Sequence, residues 1–311
     1  MFRRESSIRA SVLVPHLGDD DAFEQSLVSV LENRPADIEI CVVHDGSYED
    51  PFDLGDEVRF VAHDSNALPE LITAGAAAAR GRIVHVLGAG VRATDGWLDA
   101  ALEKFELDDA AVVAPVARQC VDGPITAAGW RSTGSRLSTA IAAGKTSPGR
   151  RDAASIRGVC LTASFWRRDV LQSLTRALAT HDATAAQFGW SRMVCAKGWR
   201  CILAEDSIVL ADEAMLGLMP SMRAGSCMRS IEAELRGGSF ASSAISVTMA
   251  AAFNLLRPTV WGEMTGEAVS LLTGHASARD LRLDEVLSPA DEAESIRIGD
   301  YQTAALTRRA A

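Results

Sequence analysis

A chain of 311 residues with 48% apolar and 23% charged side chains is long enough to bury one sizeable core and too apolar to be disordered throughout. Its 31 basic against 41 acidic residues leave a formal net charge of −10, which argues against a basic track and so against nucleic acid as a partner. Six scattered cysteines with no C-x-x-C pair give neither a disulfide framework nor a zinc motif, and fit a reducing, cytoplasmic setting.

Met1-Phe2-Arg3-Arg4-Glu5 is charged and has no apolar core of the kind a signal peptide needs. Ser11-Val12-Leu13-Val14 is a short β-branched run stopped by Pro15, the pattern of a buried parallel strand. An amphipathic helix over 20–33 follows, with Phe23, Leu27, Val30 and Leu31 on one side. Residues 38–43 form a second strand that ends in the turn cluster His44-Asp45-Gly46-Ser47, and 58–62 a third. The Ala-rich stretch 68–80 reads as a helix, broken by Gly81 before a fourth strand over 82–87.

Thr94-Asp95 predicts a cap for a helix running through Trp97, Leu98, Ala101, Leu102 and Phe105, and 110–116 a fifth strand. Residues 120–156, rich in Gly, Ser, Thr and Arg, read as a flexible insertion over the site. Beyond it come a strand over 158–163, helices over 167–178 and 190–197, and a strand from Arg200 to Leu203. After Asp212 the pattern is helical as far as 288, and 289–311 reads as a loose tail. The stretch 237–256 holds no charged residue, but its Ser, Thr and Asn content favours a buried or interfacial helix over a membrane span.

Five blocks in this order resemble glycosyltransferase family 2. They are Ser11 to Pro15, Glu39 to Ser47, Ala78 to Val84, Gly158 to Leu171 and Ala196 to Ile202. The resemblance implies an α/β protein with a GT-A-type doubly wound, mostly parallel sheet, helices on both faces, and a helical C-terminal extension. It divides the chain into a transferase-like domain over 1–212, an extension over 213–288 and the tail. The ligand expected from it is a nucleoside diphosphate sugar at the strands' carboxyl ends. The residues that would line this crevice are Pro15, His16, His44, Asp45, Gly88 and Gly90.

Within that resemblance Asp45 matches the aspartate that accepts from the nucleotide base, and His44 replaces the acid before it. Gly88 and Gly90 stand where the family carries Asp-x-Asp, so no metal ligands are assigned, no cofactor is expected and a divalent Mg or Mn ion is judged unlikely. Counting back from Gly198 to the family's catalytic base reaches Ala186-Gln187; Asp182, one turn upstream, is the candidate substitute, with helix capping as its plain alternative.

The implied activity is transfer of a sugar to a saccharide or lipid acceptor; the alternative is a non-catalytic relative that binds a sugar nucleotide or scaffolds a partner. The C-terminal helices are the expected contact with the inner face of a membrane or with a partner transferase. Two competing signals are weaker. Gly88-Ala89-Gly90-Val91-Arg92-Ala93 fits the dinucleotide pattern G-x-G-x-x-A, but Thr94-Asp95-Gly96 separates it from the following helix. Arg131, Arg136, Lys145, Arg150 and Arg151 are cations that suit either a diphosphate clamp or a solvated loop.

Overall fold

The computed structural model describes residues 8–107, 109–132, 138–236, 245, 248, 252, 256–273 and 281–291. Asp108, Arg136, nearly all of the uncharged stretch 237–256 and the tail beyond Asp291 fall outside them.

Four strands and two helices open the fold: β1 (Ala10–Pro15), α1 (Asp20–Asn33), β2 (Ile38–His44), β3 (Arg59–Ala62), α2 (Leu68–Ala78) and β4 (Ile83–Leu87). β5 (Arg92–Ala93), α3 (Trp97–Leu102) and β6 (Ala110–Arg118) follow. The segment 120–156 contributes β7 (Ile125–Ala127), β8 (Trp130–Ser132), β9 (Ser138–Ala140) and α4 (Arg150–Ser155). Then come β10 (Ala163–Arg167), α5 (Arg168–Ala177), α6 (Ala183–Ala196) and β11 (Arg200–Leu210). The last helices described in full are α7 (Met222–Arg236) and α8 (Trp261–Thr273).

The main sheet runs β3-β2-β1-β4-β10-β6-β11-β5, with β7 beside β6, and β8 pairs with β9 separately. β1, β2, β3 and β4 are parallel to one another and β11 is parallel to β6, whereas β10, β5 and β7 are antiparallel to their neighbours. The core alternates across the sheet, as period-two strands require. Val12, Val14, Ile40, Val42 and Phe165 face α1 and α3, which supply Phe23, Leu27, Val30, Trp97 and Leu98. Leu13, Cys41, Val84, Val86 and Trp166 face the layer of α2, α5 and α6, with Ile72, Ala76, Leu171, Leu174 and Trp190.

The segment 120–156, expected as a flexible insertion, carries three strands and a helix, and two further elements differ from the sequence reading. The strand expected over 158–163 is a turn whose only β pairing is at isolated bridges, and the strand itself is β10, inserted antiparallel between β4 and β6. Gly158 lies where a β-carbon would overlap the Trp130 ring and crowd Ser191, so this part of the chain is shaped by close packing and not by ladder pairing. α6 begins seven residues earlier than expected from Trp190, because Asp182 caps it by accepting from the Thr184 and Ala185 amides.

Candidate functional site

The parallel strands β1, β2 and β4 end side by side, with Pro15 paired to Val43 and Leu13 to Val86. The residues that follow each strand therefore gather on one edge, where open α/β sheets bind ligands. Pro15 closes β1, and His16 follows it with only 3% of its surface exposed. The His16 ring packs on Phe23 and Tyr48, with centroids 5.1 Å from each, and its Nε2 lies 2.7 Å from Asp20 Oδ1. His16 Nδ1 and Tyr48 Oη are both buried without a hydrogen-bond partner among the described residues.

At the end of β2, His44 is partly exposed, and its Nδ1 accepts the Gly46 amide at 3.1 Å. A neutral His44 ring with Nδ1 as acceptor carries its proton on Nε2, leaving that nitrogen a donor. Partial burial, and then the neighbouring His16, hold this imidazole below its ordinary pKa against the opposing pull of Asp45. Asp45 is exposed, and its Oδ1 accepts both the Ser47 amide (3.0 Å) and the Ser47 hydroxyl (2.5 Å). Those two bonds hold the carboxyl below the usual range, so it is ionised at neutral pH. The Ser47 bonds fix the orientation of the carboxylate while using only one of its oxygens.

Gly88 and Gly90 follow β4 and are packed, not open. The Gly88 amide donates to the Thr162 carbonyl (2.8 Å) and the Gly90 amide to the Ala22 carbonyl (2.9 Å). A β-carbon on Gly88 would come within 2.7 Å of Thr162 Cβ, and one on Gly90, whose φ is +83°, within 2.6 Å of Met215 Cε. Thr162 Oγ1 in turn donates to the Met215 carbonyl at 2.7 Å. The chain after β11 is thereby fastened over the two glycines.

Gln187 extends this packing. Its Oε1 accepts the Leu161 amide (2.9 Å) and its Nε2 donates to the Gly217 carbonyl (3.0 Å), both from a buried position on α6. Asp182 stands at the start of the same helix with its oxygens committed. Oδ1 caps the helix, and Oδ2 accepts from Arg223 Nε at 2.8 Å. The adjacent His181 Nδ1 meets Glu70 Oε1 at 2.9 Å, which ties this corner to α2. His16, His44, Asp45, Gly88 and Gly90 thus share one edge, while the bonds of Asp182 run to α6 and α7 instead. Thr162, Met215, Gln187 and Tyr48 also shape the site. Gln187 alone had a sequence signal, its spacing from Gly198.

Of the insertion's cations, Lys145 pairs with Asp152 at 2.6 Å, and Arg150 and Arg151 are exposed. Cavities of ≈ 1170 Å³, beside Arg9, Arg82, Asp99 and Phe105, and of ≈ 510 Å³, beside Arg157, Arg192 and Trp199, are lined by none of the crevice residues. No helix among the described residues is long and apolar enough to cross a membrane.

The mixed sheet, with its parallel core strands and helices on both faces, is the GT-A architecture of nucleotide-sugar transferases. The glycosyl transferase family 2 model matches residues 11–175, more than half of the chain, and the chain belongs to that family. GalNAc-T7, solved with UDP, GalNAc and Mn²⁺, superposes with a TM-score of 0.50 at 15% identity over 67% of this chain and 44% of its own. The mannosyltransferase PcManGT of Pyrobaculum calidifontis, solved with GDP-Man and Mn²⁺, gives 0.46 at 16% identity, over 95% of this chain and 80% of its own. This chain thus spans less than half the length of GalNAc-T7. No curated protein matches it.

The expectation that a divalent metal is unlikely is corrected by these relatives, since the GalNAc-T7 structure contains Mn²⁺. Two glycines in the Asp-x-Asp slots were too narrow a ground for it. A hard cation beside a nucleotide takes many of its ligands from phosphate oxygens and water, and needs no all-protein cage. The residues at the slot itself do not fit an ion. Gly88 and Gly90 have no side-chain oxygen, and no group of three or more His, Cys, Asp and Glu among the described residues is placed to hold one.

Proposed function

We propose that this chain binds a nucleoside diphosphate sugar along the carboxyl ends of β1, β2 and β4 and transfers the sugar to a saccharide or lipid acceptor. Asp45 carries the reading: an exposed, ionised carboxylate, oriented by Ser47 at the end of β2, suits acceptance of an N–H from the nucleotide base. His44 Nε2 is a donor for a phosphate oxygen, and Pro15 and His16 form the wall beside it. Gly88 and Gly90 contribute neither donors nor open space, because both of their amides are already bonded and Thr162 and Met215 pack against them.

On the acceptor side, Asp182 is the proposed base. It would take the proton of the attacking hydroxyl as the oxygen displaces the diphosphate, with inversion at the anomeric carbon. That role requires its Oδ2 to leave Arg223. A second reading, binding without turnover, is favoured by one observation. Gln187 occupies the slot where the family resemblance places the base, and an amide cannot take up that proton.

We also propose that 1–212 acts as the transferase domain with α7 and α8 as its extension, located in the cytoplasm. Met219, Met222 and Trp261, each more than half exposed, support contact of the extension with a membrane surface or a partner transferase.

Thermal-shift titration with uridine and guanosine sugar nucleotides in Mn²⁺, followed by assay of nucleoside diphosphate release, tests both readings. A shift lost in Asp45→Ala, with release lost in Asp182→Asn, supports the transferase. A shift without release supports the binder, and no shift with any donor rejects both.

A further inference from the structure

We infer that Cys195 and Cys201 form a redox-active thiol pair, converted to a disulfide by a hydroperoxide that reaches Cys195 from the cavity at the end of α6. Cys195 is the penultimate residue of α6 and Cys201 the second residue of β11. Between them the chain reverses through Gly198, whose φ of +88° only glycine adopts easily. The Lys197 amide bonds to the Met193 carbonyl at 3.0 Å and the Trp199 amide to the Val194 carbonyl at 3.1 Å, which fixes the reversal. It leaves the two Sγ atoms 3.7 Å apart. A disulfide requires the sulfurs to close to about 2.05 Å, a movement within reach of side-chain rotation and small backbone adjustment.

The pair is asymmetric in the way a two-thiol reaction needs. Cys195 is partly exposed and Cys201 is buried, and both border the ≈ 510 Å³ cavity together with Arg157, Arg192 and Arg200. The hydrogen bond from Cys201, and then the positive field of Arg192 and Arg157, pull the Cys195 thiol below its ordinary pKa. The same contact, followed by burial, pushes Cys201 up. Cys195 is therefore the thiolate that attacks, and Cys201 remains a protonated thiol that resolves.

The chemistry balances in two steps. Cys195 thiolate attacks one oxygen of hydrogen peroxide, forming an S–O bond and breaking O–O, and the departing hydroxide takes a proton to become water. Cys201 sulfur then attacks the Cys195 sulfenic sulfur, forming S–S and breaking S–O. The sulfenic hydroxyl leaves as a second water by taking the Cys201 proton. Both cysteines are oxidised and the peroxide is reduced. No part of this depends on the sugar-transfer reading.

The full-length protein, treated with hydrogen peroxide in small molar excess, blocked with iodoacetamide and digested with trypsin without reductant, provides the test. Trypsin cuts after Lys197 and Arg200, so the disulfide would join peptides 193–197 and 201–223, which dithiothreitol would separate. Exposed Cys120 is the internal comparison, and Cys195 should be consumed at least about tenfold faster. In Cys201→Ser the reaction should stop at a sulfenic acid on Cys195, trapped by dimedone. The pairing is overturned if the two peptides are recovered separately and blocked while Cys120 is oxidised, or if Cys201→Ser yields no dimedone adduct on Cys195.

Discussion

Thr162 closes over Gly88. The Gly88 amide donates to the Thr162 carbonyl at 2.8 Å, and the Thr162 side chain fills the space that a β-carbon on residue 88 would need. With Thr162 Oγ1 bonded to the Met215 carbonyl, the loop after β4 and the turn after β11 form one packed unit. The absence of an acid at 88 is therefore built into the neighbours as well as into the position itself.

Gly88→Asp, which would restore the family's acid, should consequently destabilise the protein by about 2 kcal/mol or more through overpacking and a buried charge. Urea denaturation checks this. Gly88→Asp combined with Thr162→Gly should regain part of the loss, since the second change removes the clashing carbons. A Gly88→Asp midpoint equal to wild type would show that the loop opens easily, and that its packing does not decide what stands at 88.

Asp182 serves two structural roles, the cap of α6 and the pair with Arg223, so its substitutions separate stability from chemistry. Asp182→Ala loses the cap of α6 and the Arg223 pair, and should cost about 1–2 kcal/mol. Asp182→Asn keeps a good capping side chain and should lose well under half of that. If Asp182 is the base, nucleoside diphosphate release falls at least about a hundredfold in Asp182→Asn while the thermal midpoint barely moves. Equal release by Asp182→Asn and wild type would remove Asp182 from the chemistry.

Much of the scaffold could be read from the chain because it is locally determined. β1, β2 and β4 are short runs rich in Val and Ile, ended by Pro15, the His44 turn and Gly88, and each is paired on both sides, which rewards such runs. β10 was misplaced because the apolar run starting at Gly158 is equally compatible with a packed turn. Only the distant partners Val86 and Val113 select Ala163–Arg167 as the ladder. The positions of His16, His44 and Asp45 at this sheet edge were legible because His44 ends a strand and the other two directly follow one. Thr162, Met215 and Tyr48 were not, because they reach the site from turns whose position depends on the assembled sheet. The metal expectation failed for a related reason: it rested on two positions, Gly88 and Gly90, and took no account of ligands that a donor can bring.

His85 makes an acid-sensitive contribution to stability. It is fully buried against Phe165, with ring centroids 3.8 Å apart, and burial lowers its pKa from 6.5 to about 3. The unfolded chain thus binds a proton below 6.5 that the folded state refuses until about 3. Stability from this residue is full at neutral pH and is lost as pH falls through that window, by an amount on the order of a few kcal/mol. Chemical denaturation at pH 7 and 4.5 should show a larger acid loss for wild type than for His85→Phe. Equal losses would mean that the folded protein accommodates a charged His85.

The close approach of α7 and α8 predicts opposite outcomes for glycines on the two helices. A β-carbon on Gly225 would overlap the Glu263 carbonyl, and one on Gly266 the Met222 carbonyl, whereas Gly262 has 3.6 Å to its nearest neighbour atom. Ser230 Oγ and Ser270 Oγ, 3.0 Å apart, hold the helices together farther along. Gly225→Ala and Gly266→Ala must push backbone from backbone, and each should cost about 1–3 kcal/mol. Gly262→Ala has room and gains helix propensity, so it should be neutral or stabilise by up to about 1 kcal/mol. Thermal and urea midpoints of the three single variants check the ordering. If Gly225→Ala proved as stable as Gly262→Ala, the two helices would not be in backbone contact, and the buried Glu263, which bonds the Ser138 amide at 2.9 Å, would need another explanation for its position.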